Sequence, residues 1–191
     1  YFFTENVKYV ASDGSVKDKS NKLYSTPADS DLATLYAHTN SDNDVNTYFP
    51  ASMSGVMGIM LNAGGRSIQL IPVTTNTSAA NKVTAPAKQP DYVMYNNIFG
   101  QGKHLRYSPT FSGFKEDIIL DAPTSESFSF ILKTGGLIAS LEYGEVKLHD
   151  SSGNLVAYMG QIYAYDSFTG TATDNSHVSF NNAVTLTQTG T

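Results

Sequence analysis

The stretch FSGFKEDIIL, residues 111–120, decides the interpretation of the sequence, because it sets three charged residues directly before an apolar run. If residues 114–120 form a strand, successive side chains point to opposite faces of the sheet. Glu116 then shares a face with three apolar side chains, whereas Asp117 lies on the other face. Two acids separated in this way cannot converge on one substrate, so the pattern favours a structural strand over a catalytic carboxylate pair.

The preceding run KHLRYSP supplies basic partners for these acids. In a hairpin with a short loop, Arg106 falls opposite Asp117 or next to it, which suggests a cross-strand ion pair; His104 is the other basic candidate. Glu116 needs a position at the rim of the sheet or a partner, because an unpaired buried charge costs several kcal/mol. The sequence therefore predicts a structural ion-pair group made of Arg106, Glu116 and Asp117.

Strand signals dominate the rest of the chain as short runs of β-branched and aromatic residues between clusters of Gly, Asn, Asp and Ser. Residues 13–14, 64–65 and 152–154 tolerate positive φ and predict hairpin turns. The helical candidate is DLATLYAH, residues 31–38. We predict an all-β fold, an antiparallel two-sheet β-sandwich with long connections and little or no helix. The predicted strands lie near 5–10, 15–18, 45–49, 54–61, 66–73, 91–95, 104–108, 114–120, 127–133, 137–142, 145–149, 154–159, 161–165 and 183–188.

The composition is that of a globular domain, with 40% hydrophobic and 15% charged residues in a chain of 191. Because the chain has no Cys, a disulfide framework and a thiolate site are excluded. We predict one β-sandwich-like module over residues 1–191. The polar stretch TTNTSAANKVTAPAKQP, residues 74–90, is either a long connection inside that module or a linker between two halves, 1–73 and 91–191.

The charge balance excludes one class of partner. A net charge of −5, with only 12 scattered Lys and Arg residues, gives no basic surface for phosphates, so we predict no nucleic-acid partner. No apolar run approaches the ~20 residues needed to span a bilayer, so we predict no membrane insertion. We expect the chain to be a module whose export signal lies upstream.

A metal site is weakly indicated by NSDNDVN, residues 40–46, where Asn40, Asp42 and Asp44 have the alternate spacing with which a loop can wrap Ca²⁺. Val45 and Ala51 stand where an EF-hand loop requires Gly and an acid. The stretch is therefore either a calcium loop of another type or a solvated turn. The four His residues have no zinc-ligand spacing, and no other cofactor is predicted.

No motif for an enzyme is present: there is no GxSxG elbow, phosphate loop or dinucleotide fingerprint. Tyrosines are the remaining surplus. Tyr163 and Tyr165 share one face of a predicted strand, with Tyr143 and Tyr158 near in sequence and Asp166 adjacent. These rings either fill a core that lacks Trp or form an exposed platform that stacks against sugar rings, with Asp166 binding the hydroxyls.

Several stretches together carry a family resemblance: ENVKYVASDGSVKDKSNKL, VNTYFPASMSGVMGIMLNAGGRSIQLIP, YVMYNNIFGQGKHLRYSPTFSGFKEDIIL and FSFILKTGGL. They resemble a β-rich module of secreted or wall-associated proteins of Gram-positive bacteria, found near RHS/YD-repeat and DNRLRE-type modules. The resemblance covers about residues 5–167, and its distinctive points are Lys115-Glu116 and Gly136-Leu137. Val16 stands where the family has Trp, and the Thr-rich ending 168–191 has no counterpart.

The resemblance implies an accessory β-module of an exported bacterial cell-surface protein, without catalytic residues. The predicted function is therefore non-enzymatic: a structural or scaffolding module whose partners are neighbouring modules of the same polypeptide, located extracellularly or at the bacterial cell surface. The alternative is a carbohydrate-binding module, in which Tyr143, Tyr163, Tyr165 and Asp166 contact a glycan.

Overall fold

The computed structural model describes residues 7–11, 13–63, 65–86, 89–160, 162–165 and 178–180, and these ranges confirm the all-β prediction. Every strand pair is antiparallel, and the described ranges contain no helix. None of their segments could therefore cross a bilayer as a helix. The chain divides into two compact units, Tyr1–Gly135 and Gly136–Thr191, which are described in turn.

The strands of the first unit are joined by connections of one to ten residues. In chain order they are β1 (Lys8–Val10), β2 (Val16–Asp18), β3 (Tyr24–Ser25), β4 (Tyr36–Asn40), β5 (Asn46–Pro50), β6 (Ser52–Ser54), β7 (Ile59–Ala63), β8 (Arg66–Pro72), β9 (Thr77–Ala79), β10 (Asn81–Val83), β11 (Tyr92–Tyr95), β12 (Lys103–Thr110), β13 (Gly113–Leu120) and β14 (Phe130–Lys133).

Two sheets form the body of the first unit. One has six strands in the order β14-β8-β7-β5-β4-β3, and the other has four in the order β10-β11-β12-β13; β1–β2 and β6–β9 are separate pairs. The Tyr95 hydroxyl of the four-stranded sheet donates to the Pro50 carbonyl of the six-stranded sheet at 2.8 Å. Thr47 Oγ1 donates in the other direction, to the Gly113 carbonyl at 3.4 Å. The two sheets therefore face each other as a sandwich.

The core lies between these sheets and follows the alternation of each strand. In β12 the side chains of Leu105, Tyr107 and Pro109 are buried, while the intervening residues are partly exposed. The six-stranded sheet contributes Phe49 and Ile59, which are fully buried. Burial of these aromatic and aliphatic side chains is the main stabilising term for the unit, at about 25 cal/mol for each Å² of apolar surface removed from water.

A buried carboxylate ties the N-terminal segment of the first unit to the segment that leads into β11. Asp91 accepts hydrogen bonds from the backbone N–H groups of Leu23 and Ala85 and from Lys22 Nζ, at 3.0, 2.9 and 3.1 Å. Lys22 Nζ also donates to the carbonyls of Ala85 and Gln89. Because the buried charge is paired and fully hydrogen-bonded, its desolvation is compensated.

The second unit is described mainly by one three-stranded sheet. The strands of this unit are β15 (Ile138–Glu142), β16 (Glu145–His149), β17 (Leu155–Met159), β18 (Tyr163–Tyr165) and β19 (Val178–Phe180). Strands β15, β16 and β17 are neighbours in that order, and β18 pairs with β19. A bulge between Leu148 and His149 leaves Val156 without a cross-strand partner in β17.

The predicted hairpin turns are confirmed. Residues 13–14 lie between β1 and β2, β7 and β8 pair as far as Ala63 and Arg66, and residues 152–154 lie between β16 and β17. Gly14, Gly65 and Gly153 have φ values of 78°, 77° and 82°, which is why turn-forming residues were required there. The predicted strand at 183–188 lies outside the described residues.

The helical candidate at residues 31–38 is not a helix. Residues 31–35 are turns, and the remaining residues begin β4, in which Tyr36 pairs with Pro50. Two helical turns provide too few hydrogen bonds to outweigh the cost of nucleation, so pairing with β5 prevails. The single strand predicted at 54–61 is also interrupted, at Gly55 and Gly58. A Cβ on Gly58 would lie 1.9 Å from the Leu70 carbonyl oxygen, so this close approach requires glycine.

The boundary between the units falls at Gly135, not in the polar stretch 74–90. That stretch contains β9 and β10, which pair with β6 and β11 inside the first unit; residues 87–88 are outside the described ranges. The halves 1–73 and 91–191 are therefore not the units observed, because residues 74–90 lie in a paired part of the first unit.

Candidate functional site

The hairpin β12–β13 fixes the geometry of the two suspected acids. Thr110 pairs with Gly113, so a loop of two residues joins the strands. This register places Arg106 opposite Asp117 and Tyr107 opposite Glu116. Because cross-strand partners share a face, the two acids lie on opposite faces of the sheet.

Asp117 lies on the outer face between two cations. Its Oδ2 accepts hydrogen bonds from Arg106 Nε and Nη2 at 3.0 and 2.8 Å, and its Oδ1 lies 2.8 Å from Lys115 Nζ. Partial burial by itself would raise the pKa of Asp117, but the bonds from Lys115 and Arg106 outweigh it and hold the pKa below its usual value. Arg106 also stacks over the Tyr92 ring, 5.7 Å from its centroid.

Glu116 lies on the core face of the same strand, and its partner is a tyrosine. The Tyr107 hydroxyl donates a hydrogen bond to Glu116 Oε2. Desolvation by burial, with a smaller contribution from the charge of Asp117, raises the pKa of Glu116 to about 7, although the Tyr107 bond opposes the shift. The structure thus brings Arg106 and Asp117 together but places Glu116 in a separate pair with Tyr107.

The Glu116–Tyr107 pair is not arranged for acid–base catalysis. Tyr107 has no exposed surface, and Asp117, whose charge acts on Glu116, lies on the opposite face of the strand. Acid–base hydrolysis of a glycoside needs two carboxyl groups that flank the scissile bond. The raised pKa of Glu116 therefore reflects burial within the sandwich rather than an assembled catalytic pair.

The calcium candidates are held by other interactions. Asn40 is fully buried, and its Nδ2 donates to the carbonyls of Ser20 and Lys22 at 2.6 and 2.8 Å. Asp42 Oδ1 accepts from the Tyr9 hydroxyl, and Asp44 pairs with Lys19 at 2.6 Å. The three side chains therefore serve different contacts. Within the described ranges, no group of three His, Asp or Glu side chains could hold a metal ion.

The tyrosine candidates are only partly described. Tyr143 lies in the two-residue turn between β15 and β16, and 91% of it is exposed. Tyr163 and Tyr165 belong to β18, but their side chains and all of Asp166 lie outside the described part of the structure. Tyr158, on β17, is 67% exposed, so this ring does not fill the core.

An open groove of about 420 Å³ lies on the first unit, lined by the segment that follows β8, the segment that precedes β14, and Phe99. Phe99 and Phe128 meet beside it with ring centroids 5.0 Å apart. Glu126 is the acid in its wall, and it pairs with Lys103 at 2.5 Å. A single, paired carboxylate at an open surface gives this groove no acid–base pair.

One buried tyrosine contact and one buried tie escaped the sequence analysis. Tyr107 could be found as the partner of Glu116 only once the register was known, since an offset of one residue would have replaced it. The Lys22–Asp91 tie joins residues 69 positions apart, and no local pattern signals it. For Tyr158, which the sequence analysis left open between core and exposed platform, the alternation of β17 puts Ala157 and Met159 on the other face.

Comparison with known proteins gives no relative for this geometry. No protein-family model matches the chain, and no match is found among curated proteins or among solved structures. The resemblance to the Gram-positive surface module therefore stays a prediction.

Proposed function

We propose that the chain is a non-enzymatic structural or scaffolding module of an exported bacterial cell-surface protein. The observation that carries the proposal is the placement of the suspected acids. Asp117 is neutralised by Arg106 and Lys115 on one face, while Glu116 is enclosed with Tyr107 on the other. Both acids make contacts that hold the fold, and neither lines the open groove of the first unit.

The internal ties of the first unit support a structural role. Lys22 and Asp91 link segments far apart in sequence through several hydrogen bonds. Asn40 and Asn43 form a second polar link, since Asn43 Nδ2 donates to the carbonyls of Ser20 and Thr110 at 3.0 and 3.3 Å. Such links join three segments of the sandwich and resist its local opening.

Location and partners follow from the resemblance together with the composition. A chain without Cys does not depend on the redox state of its compartment, and a net charge of −5 offers no surface for nucleic acid. The proposed partners are neighbouring modules of the same polypeptide, and the proposed place is the bacterial cell surface.

A catalytic screen tests the proposal directly. The purified chain would be assayed against aryl glycosides, esters, a phosphate monoester and a protein substrate, beside Glu116→Gln and Asp117→Asn. We expect no turnover in any of them. Turnover by the wild-type chain that is lost in Glu116→Gln, with the fold intact by circular dichroism, would overturn the non-enzymatic assignment.

The scaffolding role has its own measurement. The parent polypeptide would be subjected to limited proteolysis with and without residues 1–191. A scaffold protects its neighbours, so deletion should expose new cleavage sites in the flanking modules. Identical cleavage of those modules in both forms would contradict a scaffolding role.

Carbohydrate binding is the second candidate function, favoured by the exposure of Tyr143 and Tyr158 on the second unit. A tyrosine presents an apolar ring with a polar hydroxyl, and such side chains are enriched at binding surfaces. Loss of glycan binding on Tyr163→Ala, with folding intact, would support the platform predicted on β18.

A further inference from the structure

The sheet β15–β17 has two faces of different character. One face carries only apolar side chains, which include the buried Leu148; the residues are Ala139, Leu141, Val146, Leu148, Ala157 and Met159. The opposite face, named here the outward face, carries Ile138, Ser140, Glu142, Glu145, Lys147, His149, Leu155 and Tyr158. Since the apolar face supplies the core of the unit, the outward face is the one available to a ligand.

A fixed polar group lies beside the exposed ring of Tyr158. Lys147 is the direct cross-strand partner of Tyr158, and Ser140 is the next residue in the same row. The Ser140 hydroxyl donates to Glu142 Oε1 at 2.8 Å, and Lys147 Nζ lies 2.9 Å from Glu142 Oε2. These bonds orient the carboxylate and the ammonium, while each keeps hydrogen-bonding capacity for a ligand.

Tyr143 marks the end of this face in an unusual conformation. It has φ = 53°, and Gly144 has φ = 80°, so the two form a type I′ turn closed by the Glu142–Glu145 pair. Asn, Asp or Gly are the residues preferred at the first position of such a turn, and an aromatic residue is strained there. Tyr143 is 91% exposed, and its backbone conformation disfavours an aromatic residue. Local stability therefore does not account for a tyrosine at this position, which points to a surface role.

The mixture of groups selects the ligand class. A dry protein interface is depleted of charge at its centre, whereas the charged Lys147 stands at the centre of the middle strand β16 on this face. Glu142 and Glu145 oppose a phosphate backbone. A neutral saccharide fits both the aromatic ring and the polar group. Its C–H face stacks on the ring, and its hydroxyls exchange hydrogen bonds with the fixed polar side chains.

We infer that the outward face of β15–β17, centred on Tyr158 with Ser140, Glu142 and Lys147, binds a neutral oligosaccharide, and that Tyr143 extends the site at the turn. The inference rests on the second candidate function, carbohydrate binding, and assigns it to residues other than the β18 tyrosines. The Tyr158 ring supplies the stacking surface, and the polar group sets the orientation of the bound sugar.

The test titrates the full chain with cellotetraose, chitotetraose and xylotetraose, followed by NMR of the backbone amides. Binding of at least one oligosaccharide should shift the amides of 140, 142, 147 and 158. Tyr158→Ala should weaken that binding at least tenfold, and Tyr158→Phe should keep most of it because the ring remains. Tyr24→Ala, which removes an exposed tyrosine of the first unit, serves as the matched control and should change nothing.

The outcomes separate this site from the wider function. Binding that survives Tyr158→Ala but is lost on Tyr163→Ala would overturn the site and leave carbohydrate binding standing. Absence of binding for every probe up to millimolar concentration would overturn both. Equal loss in Tyr158→Phe and Tyr158→Ala would show that the ring is not a stacking surface, and it would also overturn the inference.

Discussion

The hairpins β12–β13 and β15–β16 are built alike and use their charged residues differently. Each has a two-residue loop and a Lys or Arg bound to a carboxylate. In β12–β13 one face is sealed by a second sheet, so Glu116 lies in a core and its pKa rises to about 7. In β15–β16 the face with Glu142 is open, and bonds from Lys147 and Ser140 lower the pKa of that carboxyl.

Whether a second sheet packs on a face determines the role of an acidic residue on that face. Burial makes the charged form of Glu116 unfavourable in the folded state, because a buried carboxylate is poorly solvated. Exposure leaves the carboxylate of Glu142 charged and able to bind a ligand. The following predictions test this contrast, beginning with the largest effect.

The largest contrast concerns the two rings beside the acids. Tyr107→Ala should destabilise the chain by about 3–5 kcal/mol, because it removes a fully buried aromatic side chain from the sandwich. Tyr158→Ala, on the open face, should stay within about 0.5 kcal/mol of wild type. Urea unfolding monitored by circular dichroism measures both. Comparable losses in the two variants would refute the assignment of buried and open faces.

The pH dependence of stability sharpens the comparison. Glu116 has a folded pKa of about 7 against 4.5 unfolded, so the folded state binds the extra proton between these values. Its contribution is complete below pH 4.5 and is lost as the pH rises through about 7, a change of about 3 kcal/mol. Glu116→Gln should remove this dependence, as measured by urea unfolding at pH 5 and pH 8.

The difference between wild type and Glu116→Gln is the quantity to compare, because His38 titrates in the same window with the opposite sign. Burial lowers the pKa of His38, so its contribution to stability rises with pH. Glu142→Gln is the matched control on the open face. Its carboxyl has a lowered pKa, so the variant should leave the fall between pH 5 and pH 8 unchanged. An unaltered slope in Glu116→Gln would contradict the buried position.

The ion pairs should differ next. Arg106→Ala removes two hydrogen bonds to the mostly buried Asp117 and should cost about 2 kcal/mol. Lys147→Ala breaks a pair whose carboxylate is 42% exposed, against 11% for Asp117, and should cost clearly less, since solvent and salt screen it more. Unfolding in low and in high salt distinguishes them, because only the Lys147 effect should shrink strongly with salt. A larger loss for Lys147→Ala would reverse the comparison.

The smallest effect is a gain. Tyr143→Asn should stabilise the chain by about 0.5 kcal/mol, because Asn tolerates the left-handed conformation of this turn better than an aromatic residue does. The same variant should weaken any oligosaccharide binding at the outward face. Thermal unfolding and the sugar titration together test it, and a loss of stability would remove the argument that Tyr143 is strained.

Much of the local structure follows from the sequence. The alternation after Gly113 predicts the split of Glu116 and Asp117 between two faces, and the turn residues at 13–14, 64–65 and 152–154 predict hairpins that the structure contains. These features depend on neighbours in the chain, where side-chain period and glycine φ act directly.

The helical candidate at 31–38 shows where local reasoning ends. Tyr36 is buried as the first residue of β4, whose pairing with β5 replaces the two marginal helical turns that the local pattern allows. Likewise, the Asx-rich residues 40–46 show alternate oxygens, while the actual partners of Asn40 and Asp44 are Ser20, Lys22 and Lys19.

The all-β class, the hairpins and the separation of the two acids follow from local sequence, since strand alternation and turn chemistry are encoded within a few residues. Only the tertiary structure decided which face of each sheet is covered. That choice made Glu116 a buried partner of Tyr107, left Tyr158 exposed and placed the unit boundary at Gly135. The physical reason is that burial depends on contacts between segments distant in sequence, and no local pattern specifies which segment supplies the cover.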